Sequence, residues 1–427
     1  MSVKNFPLDK ARLEELEKTY PTPFYLYDEG AIRENAGRMV RAFSSRFPGF
    51  KEHFAVKALP NPFILKILKD EGLGADCSSL TELLLADMAG IRGEEIMLTA
   101  NETPSGEYRK AQELGAIINL DDFTHIEFLE NTLGRLPELI SFRYNPGPLK
   151  KGNAIIGKPE EAKYGLTREQ LIEGYQILKA KGIRRFGLHT MVASNELSLD
   201  YHLETARLLF DLALEIKNKT GLSLEFVNLG GGLGIPYRPE EEAVSWETLA
   251  GGVKKLYDDI IVPAGLGGLA IHTEYGRPVT GPYGWLAARA IHRKSIYREY
   301  IGLNSSMADL MRPALYGAYH HISIPGKERE ALTETFDVVG SLCENNDKFA
   351  IQRRLPHIDV GENTGDFVVI HDAGAHGRAM GFNYNGKLRC GELLLRQDGS
   401  VLQIRRPETA EDYFATLNLA AFPRFKE

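Results

Sequence analysis

Along the first two thirds of the chain, reactive and charged side chains follow directly on short apolar runs. Lys57 closes the run Phe54-Ala55-Val56. An amine at the edge of apolar surroundings is partly desolvated, so its pKa falls and it becomes a candidate for bonding covalently to a carbonyl carbon. Asp76 to Ser79, Arg143 to Asn145 and His189 end further runs of this kind. Glu274 ends another and opens Glu274-Tyr275-Gly276-Arg277, an acid, a flexible residue and a permanent cation within four positions. That spacing suits a charged ligand with an anionic end. Gly230, Gly231, Gly232 and Gly234 follow the run from Leu224 to Leu229. Consecutive glycines let backbone N–H groups close on an anion, most often phosphate, although the same residues also make a tight turn.

An amine for an aldehyde, a glycine cradle for a phosphate and a carboxylate for a pyridinium nitrogen are the requirements of pyridoxal 5′-phosphate. On this reading Lys57, the glycines from Gly230 and Glu274 supply the three in turn. Each position taken singly reads equally well as the first solvated residue after a strand. Their recurrence is what carries the reading.

Such residues need a frame that brings strand ends together. Eight β-type runs, at 53–57, 74–78, 95–99, 116–120, 140–144, 185–189, 224–229 and 269–274, alternate with segments of helical period, such as Leu208, Leu209, Leu212 and Ile216. Eight βα units predict a (β/α)8 TIM-type barrel, with chemistry at the C-terminal ends of its strands; a doubly wound open sheet is the alternative. After Gly276 the pattern changes to strand-like runs at 335–340, 366–371, 392–395 and 401–404, the last two separated by the hairpin turn Asp398-Gly399. This predicts a C-terminal all-β barrel or sandwich domain. The expected division is a cofactor-binding barrel over 30–277 and a β-domain made of 1–29 with 278–427. The segment Pro23 to Asp28 reads as a strand able to join either.

Composition narrows the partners. The chain has 427 residues with 51 basic and 58 acidic side chains, a formal charge of −7 that leaves no basic footprint for nucleic acid. Three cysteines, Cys77, Cys343 and Cys390, are too few for a disulfide framework or a zinc knuckle. No metal is expected. The N-terminal segment is charged and no long apolar run occurs, so a cytoplasmic protein that engages neither membrane nor nucleic acid is expected. Glycine is the one enrichment, at 42 residues.

Taken together, Tyr25–Asp28, Phe54–Ala58, Asn145–Gly147, Lys163–Gly165, Gly187–His189, Asn228–Gly234, Glu274–Arg277, Met311–His320, Cys343–Glu344 and Asp372–Ala375 resemble the fold-type III PLP-dependent decarboxylases, and among them the diaminopimelate decarboxylases. The resemblance implies an alanine-racemase-like barrel with a β-domain, in a homodimer with shared active sites. It implies that Lys57 attaches PLP and that Glu274 pairs with its ring nitrogen. Asp76, His189, Met191, Ser194, Gly231, Gly232, Gly276, Arg277 and His376 would complete the cofactor site. Arg277, Arg312, Tyr316, Glu344 and His376 would meet an amino-acid substrate, with Cys343 as a catalytic group reaching in beside Glu344 from the partner subunit. Two arginines favour a dicarboxylate, meso-diaminopimelate, converted to L-lysine and CO2 in lysine biosynthesis.

The sequence also departs from the family pattern. Met191 stands where a histidine usually stacks on the cofactor ring, His376 replaces a tyrosine, and Asn304 replaces an acidic residue. A thioether packs on a ring but does not titrate. His189, two positions earlier on the same strand face, is placed to compensate. These changes keep two alternatives open: a related decarboxylase of another amino dicarboxylate or a D-amino acid, and a non-catalytic PLP-fold binding protein.

Overall fold

Parallel strands buried along nearly their whole length need both faces covered, which the helices that follow them provide. The computed structural model describes residues 4–152 and 157–422. After β1 (Phe24–Asp28), which pairs elsewhere, come β2 (Lys51–Ala55), β3 (Gly74–Cys77), β4 (Ile96–Thr99), β5 (Ile117–Leu120), β6 (Leu139–Tyr144), β7 (Arg185–Thr190), β8 (Phe226–Asn228) and β9 (Ala270–Thr273). They pair in parallel in that order and β9 returns to β2, so the sheet is a closed barrel and not an open doubly wound one. All eight strands read from the sequence are present, their ends displaced by no more than two residues.

Local chemistry sets the helix ends. The helix Pro62–Asp70 starts where the Asn61 side chain accepts from Phe63 N–H, and it buries Ile64, Leu65, Ile67 and Leu68. Leu199–Thr220 starts at Ser198 and stops at Gly221, whose φ of 69° an L-residue adopts at a cost. Each such N-cap contributes about 1 kcal/mol.

Period-two alternation turns one set of side chains into the barrel. Its lower layer is apolar: Met97, Ile117, Leu139 and Phe226, with Ala270 against them. His272 lies flat on Phe226, with centroids 4.1 Å apart, and contacts the His53 ring. Further along β5, β7, β8 and the chain leaving β9, the interior becomes polar with Asn119, His189, Asn228 and Glu274, all buried.

Contacts divide the chain into a barrel unit, running from Glu29 to Pro282, and a second unit of Lys4–Asp28 with the chain from Tyr283 onward. The second unit holds β10 (Gly284–Ser295), β11 (Glu299–Leu303), β12 (Ile322–Ser323), β13 (Glu334–Val339), β14 (Lys348–Leu355), β15 (Phe367–Ile370), β16 (Gly391–Leu395) and β17 (Val401–Arg405). Its sheet runs β14-β13-β11-β10-β1-β16-β17, with β15 on β10 and β12 on β15. The Asp398-Gly399 hairpin joins β16 to β17 as read from the sequence. β1 is antiparallel to β10 and parallel to β16, which assigns the Pro23 to Asp28 segment to this sheet. Phe24, Leu26, Trp285, Phe367, Val369 and Leu393 form its core with Leu13 and Leu16 of the helix Lys10–Glu17. The second unit is built on this sheet as expected, and that helix, with short ones at Arg312–Tyr316 and Ala410–Phe414, accompanies it.

β10 was not foreseen. Its first seven residues, Gly284 to Ala290, are all buried and so lack the alternation that marks a half-exposed strand. Asn304 does structural work in this unit: its Oδ1 accepts from Arg289 N–H at 2.8 Å and its Nδ2 donates to the Thr22 carbonyl at 3.1 Å. No helix among the described residues is long and apolar enough to cross a membrane.

Candidate active site

Glu274 follows β9 at the C-terminal end of the barrel and is 6% exposed. Asn228 Nδ2 donates to its Oε1 at 2.8 Å, and His189 Nε2 lies 3.0 Å from its Oε2. The Asn228 amide is oriented in turn by Gly230 N–H, which donates to its Oδ1 at 2.8 Å. Burial pushes the Glu274 pKa up, but the His189 ring at its Oε2, with Lys57 and His53 nearby, outweighs it and holds the carboxyl below its ordinary value. Asp76 goes the other way: burial and then the Glu274 charge push it well up, against the pull of Lys57.

The chain after β8 requires its glycines. A Cβ on Gly231 would fall 2.4 Å from the Glu274 carbonyl oxygen, and one on Gly232 would fall 2.5 Å from the Ala193 oxygen. The N–H groups of Gly231 and Gly232 donate to no protein acceptor among the described residues. Met191 Sδ lies 3.9 Å from the Gly231 Cβ position, so the thioether sits beside this loop. Gly276 is equally constrained, since a Cβ there would meet the Ala58 Cβ at 2.7 Å. Arg277, 7% exposed, donates through Nη2 to Ser194 Oγ at 3.2 Å and through Nη1 to the Tyr237 hydroxyl.

Lys57 corrects one expectation. β2 ends at Ala55, and Val56–Ala58 is a 3-10 turn in which Val56 and Ala58 are buried while Lys57 is exposed. The apolar run before it therefore does not desolvate its amine. Its charge still acts on Asp76 and Glu274.

The other singled-out residues lie in the second unit. Arg312 is buried in the first turn of its short helix, while Tyr316, at the end of that helix, is 45% exposed. Cys343 is exposed, so it is not a buried hydrophobe, and its N–H donates to Asn385 Oδ1 at 2.9 Å. Glu344 is half-buried next to it. Asp347 frames the turn by accepting from Met307 N–H at 2.6 Å and Leu342 N–H at 2.7 Å. His376 is half-buried with a left-handed φ of 55°.

Several participants escaped the sequence reading. Asn119, Asn228 and Tyr237 had no assigned role, although Asn119 is a polar residue inside an otherwise apolar strand and Asn228 opens the glycine motif.

The barrel residues fit pyridoxal phosphate. Two glycine N–H groups lacking protein acceptors and a buried arginine suit a phosphate, and a carboxylate held below its ordinary pKa suits a protonated ring nitrogen. Buried polar atoms without partners, Ser141 Oγ, Asn119 Oδ1 and Arg143 Nε, lie on inward positions of β5 and β6.

Barrel and site thus define a pyridoxal-binding enzyme of the TIM type. The family model for the pyridoxal binding domain of pyridoxal-dependent decarboxylases matches residues 33–281, and the chain belongs to this family. It is 42% identical to Protein TabA of Pseudomonas amygdali pv. tabaci over 408 residues, 96% of this chain and 93% of that protein. It is 35% identical to the diaminopimelate decarboxylase of Methanothermobacter thermautotrophicus over 415 residues, 95% and 94% of the two chains. A solved structure of Helicobacter pylori diaminopimelate decarboxylase complexed with L-lysine superposes with a TM-score of 0.83 at 27% identity, covering 96% of this chain and all of that one (100%). The protein is therefore a PLP-dependent carboxy-lyase similar to diaminopimelate decarboxylases.

Proposed function

We propose that the protein removes the α-carboxylate of meso-diaminopimelate to give L-lysine and CO2. The observation that carries this reading is Arg277: buried, held by two hydroxyls and paired with no carboxylate among the described residues. A guanidinium kept out of water without an acidic partner calls for an anionic ligand, here the cofactor phosphate and a substrate carboxylate. Arg312, buried in the second unit, is the proposed receptor for the distal carboxylate, with Tyr316 four residues on in the same short helix and His376 as further donors. The names of the diaminopimelate decarboxylase relatives support the same choice.

In the proposed reaction the α-carboxylate leaves as CO2, its bonding pair stays at the α-carbon, and a proton takes its place. Bound pyridoxal phosphate, carried by Lys57, supplies the sink for that electron pair. Glu274, ionised between Asn228 and His189, would keep the ring nitrogen protonated and so strengthen the sink. Ser194, Gly231, Gly232, Gly276 and Arg277 would hold the phosphate, Met191 would pack against the ring, and Asp76 would interact with Lys57. Cys343 would deliver the proton to the α-carbon and Glu344 would bind a substrate amine, both from the partner subunit of a cytoplasmic homodimer.

A second reading has its own observation: identity to Protein TabA exceeds that to the diaminopimelate decarboxylase of M. thermautotrophicus. On it, the same decarboxylation acts on another amino dicarboxylate. One experiment addresses both. CO2 release is measured from meso-diaminopimelate, other amino dicarboxylates, lysine and ornithine; meso-diaminopimelate is expected to react fastest. Faster release from another dicarboxylate would favour the second reading, and equal or faster release from lysine or ornithine would sink both.

A further inference from the structure

Glu274 is gripped from two sides, and the grip on its Oε2 comes from His189, which is fully buried on β7. The other ring nitrogen of His189, Nδ1, lies 3.0 Å from Asn119 Nδ2. An amide nitrogen only donates, so Nδ1 accepts and the ring proton sits on Nε2, facing Glu274. The chain Asn119–His189–Glu274 thus has a defined direction and delivers an N–H to the carboxylate without requiring a charged imidazole. An ionised carboxylate has about four lone-pair sites. Asn228 and His189 each occupy one, which leaves the carboxylate able to accept from a third donor.

We infer that His189 is a positioning residue for Glu274: with its tautomer set by Asn119, it keeps the carboxylate turned and ionised to meet the ring nitrogen of the cofactor. This inference rests on the proposed pairing of Glu274 with that nitrogen. It gains weight from Met191, the first residue past β7 and two positions after His189, which has neither proton nor charge to offer. His189 is then the one imidazole that β7 presents to the barrel interior. His53 and His272 contact each other one layer below, and Lys57, Asp76, Asp121 and Arg143 are charged groups at the neighbouring strand ends.

The test uses the PLP-loaded enzyme and its cofactor-stripped form with His189→Phe, His189→Gln, Asn119→Leu and Glu274→Gln. His189→Phe is expected to lower kcat by about ten- to a hundredfold with KM for the best substrate within about twofold, by analogy with losses from outer-shell ligand partners. It should also weaken PLP binding to the stripped protein by about tenfold and alter the absorption of the bound cofactor. His189→Gln carries an N–H donor near the position of Nε2 and should recover most of the kcat and the spectrum. A folded His189→Phe enzyme with unaltered kcat, PLP affinity and spectrum would overturn the inference. If that variant fails to fold, Asn119→Leu decides: it should lower kcat and shift the spectrum in the same direction, and an unchanged spectrum and rate would overturn the inference. Glu274→Gln separates the two levels. An unaffected Glu274→Gln enzyme removes the underlying pairing, whereas an impaired one beside a normal His189→Phe removes the role of His189 alone.

Discussion

Arg312 Nη1 donates to His320 Nε2 across 2.9 Å, while His320 Nδ1 donates to the carbonyl oxygen of His371 at 2.8 Å. An imidazole that donates through Nδ1 accepts through Nε2 only when neutral, so the aim of the guanidinium and the tautomer of the histidine are tied together. Both side chains are buried, Arg312 at 3% exposure and His320 at 0%.

If Arg312 receives the distal carboxylate, Arg312→Lys loses the planar fork and should lower kcat/KM for meso-diaminopimelate by about tenfold or more, mainly through KM. His320→Leu should act in the same direction, because it releases the guanidinium. Turnover of lysine, which has no second carboxylate, should change less in both variants. Equal losses on lysine and on the dicarboxylate would argue against this role.

Borohydride reduction of the holoenzyme, followed by peptide mass spectrometry, should place the reduced pyridoxyl group on Lys57. Lys57→Ala should retain no reducible linkage. Label on another lysine would refute the assignment.

Gly231→Ala puts a methyl group 2.4 Å from a backbone carbonyl oxygen, a neighbour that yields only if the chain shifts. The expected cost is about 1–3 kcal/mol of stability together with reduced PLP content. Gly106 lies in the helix Ser105–Leu114 with open space at its Cβ position, so Gly106→Ala should be neutral or stabilising by about 0.5–1 kcal/mol. Thermal unfolding and the cofactor-to-protein ratio of the two variants make the comparison.

Met191→His restores a titratable ring beside the glycine loop. The absorption of bound PLP should then acquire a pH dependence near that of an imidazole, absent in the parent. A spectrum identical at every pH would mean that this face does not tune the cofactor.

His371 accepts from Trp285 Nε1–H at 3.2 Å and contacts Ser323 Oγ at 2.7 Å. Burial, and then the charges of His321 and Lys4, push its pKa down from 6.5 to about 3. In the barrel, burial lowers His53 to about 4. Below the unfolded pKa an unfolded chain binds protons at these rings that the folded chain refuses, so stability falls as pH drops from about 6.5 towards 3–4. Each ring accounts for on the order of 3 kcal/mol across that window. Unfolding temperatures measured from pH 7 to pH 4 should fall steadily, and His371→Gln should flatten the second unit's share of the decline. An unchanged slope in that variant would show that His371 is not responsible.

The barrel was legible in the sequence because its signals are local. Strands such as Ile117–Leu120 and Leu139–Tyr144 are apolar throughout and are separated by helical spacing, which is readable within a few residues. Lys57, Glu274 and the glycines from Gly230 could be singled out because each closes or directly follows an apolar run. β10 was not legible, since complete burial erased its alternation. The exposure of Lys57 was misread because the apolar run before it continues into a turn whose other two side chains face inward.

The sequence by itself determined which residues are candidates to hold the cofactor and which barrel strand most of them follow. Only the tertiary structure decided how they are held. His189 and Glu274 are 85 residues apart and Asn119 is 70 from His189, and no local pattern relates them. They meet because barrel closure brings inward positions of β5, β7 and β8 next to the residue that follows β9, where buried polar groups must find their partners in one another.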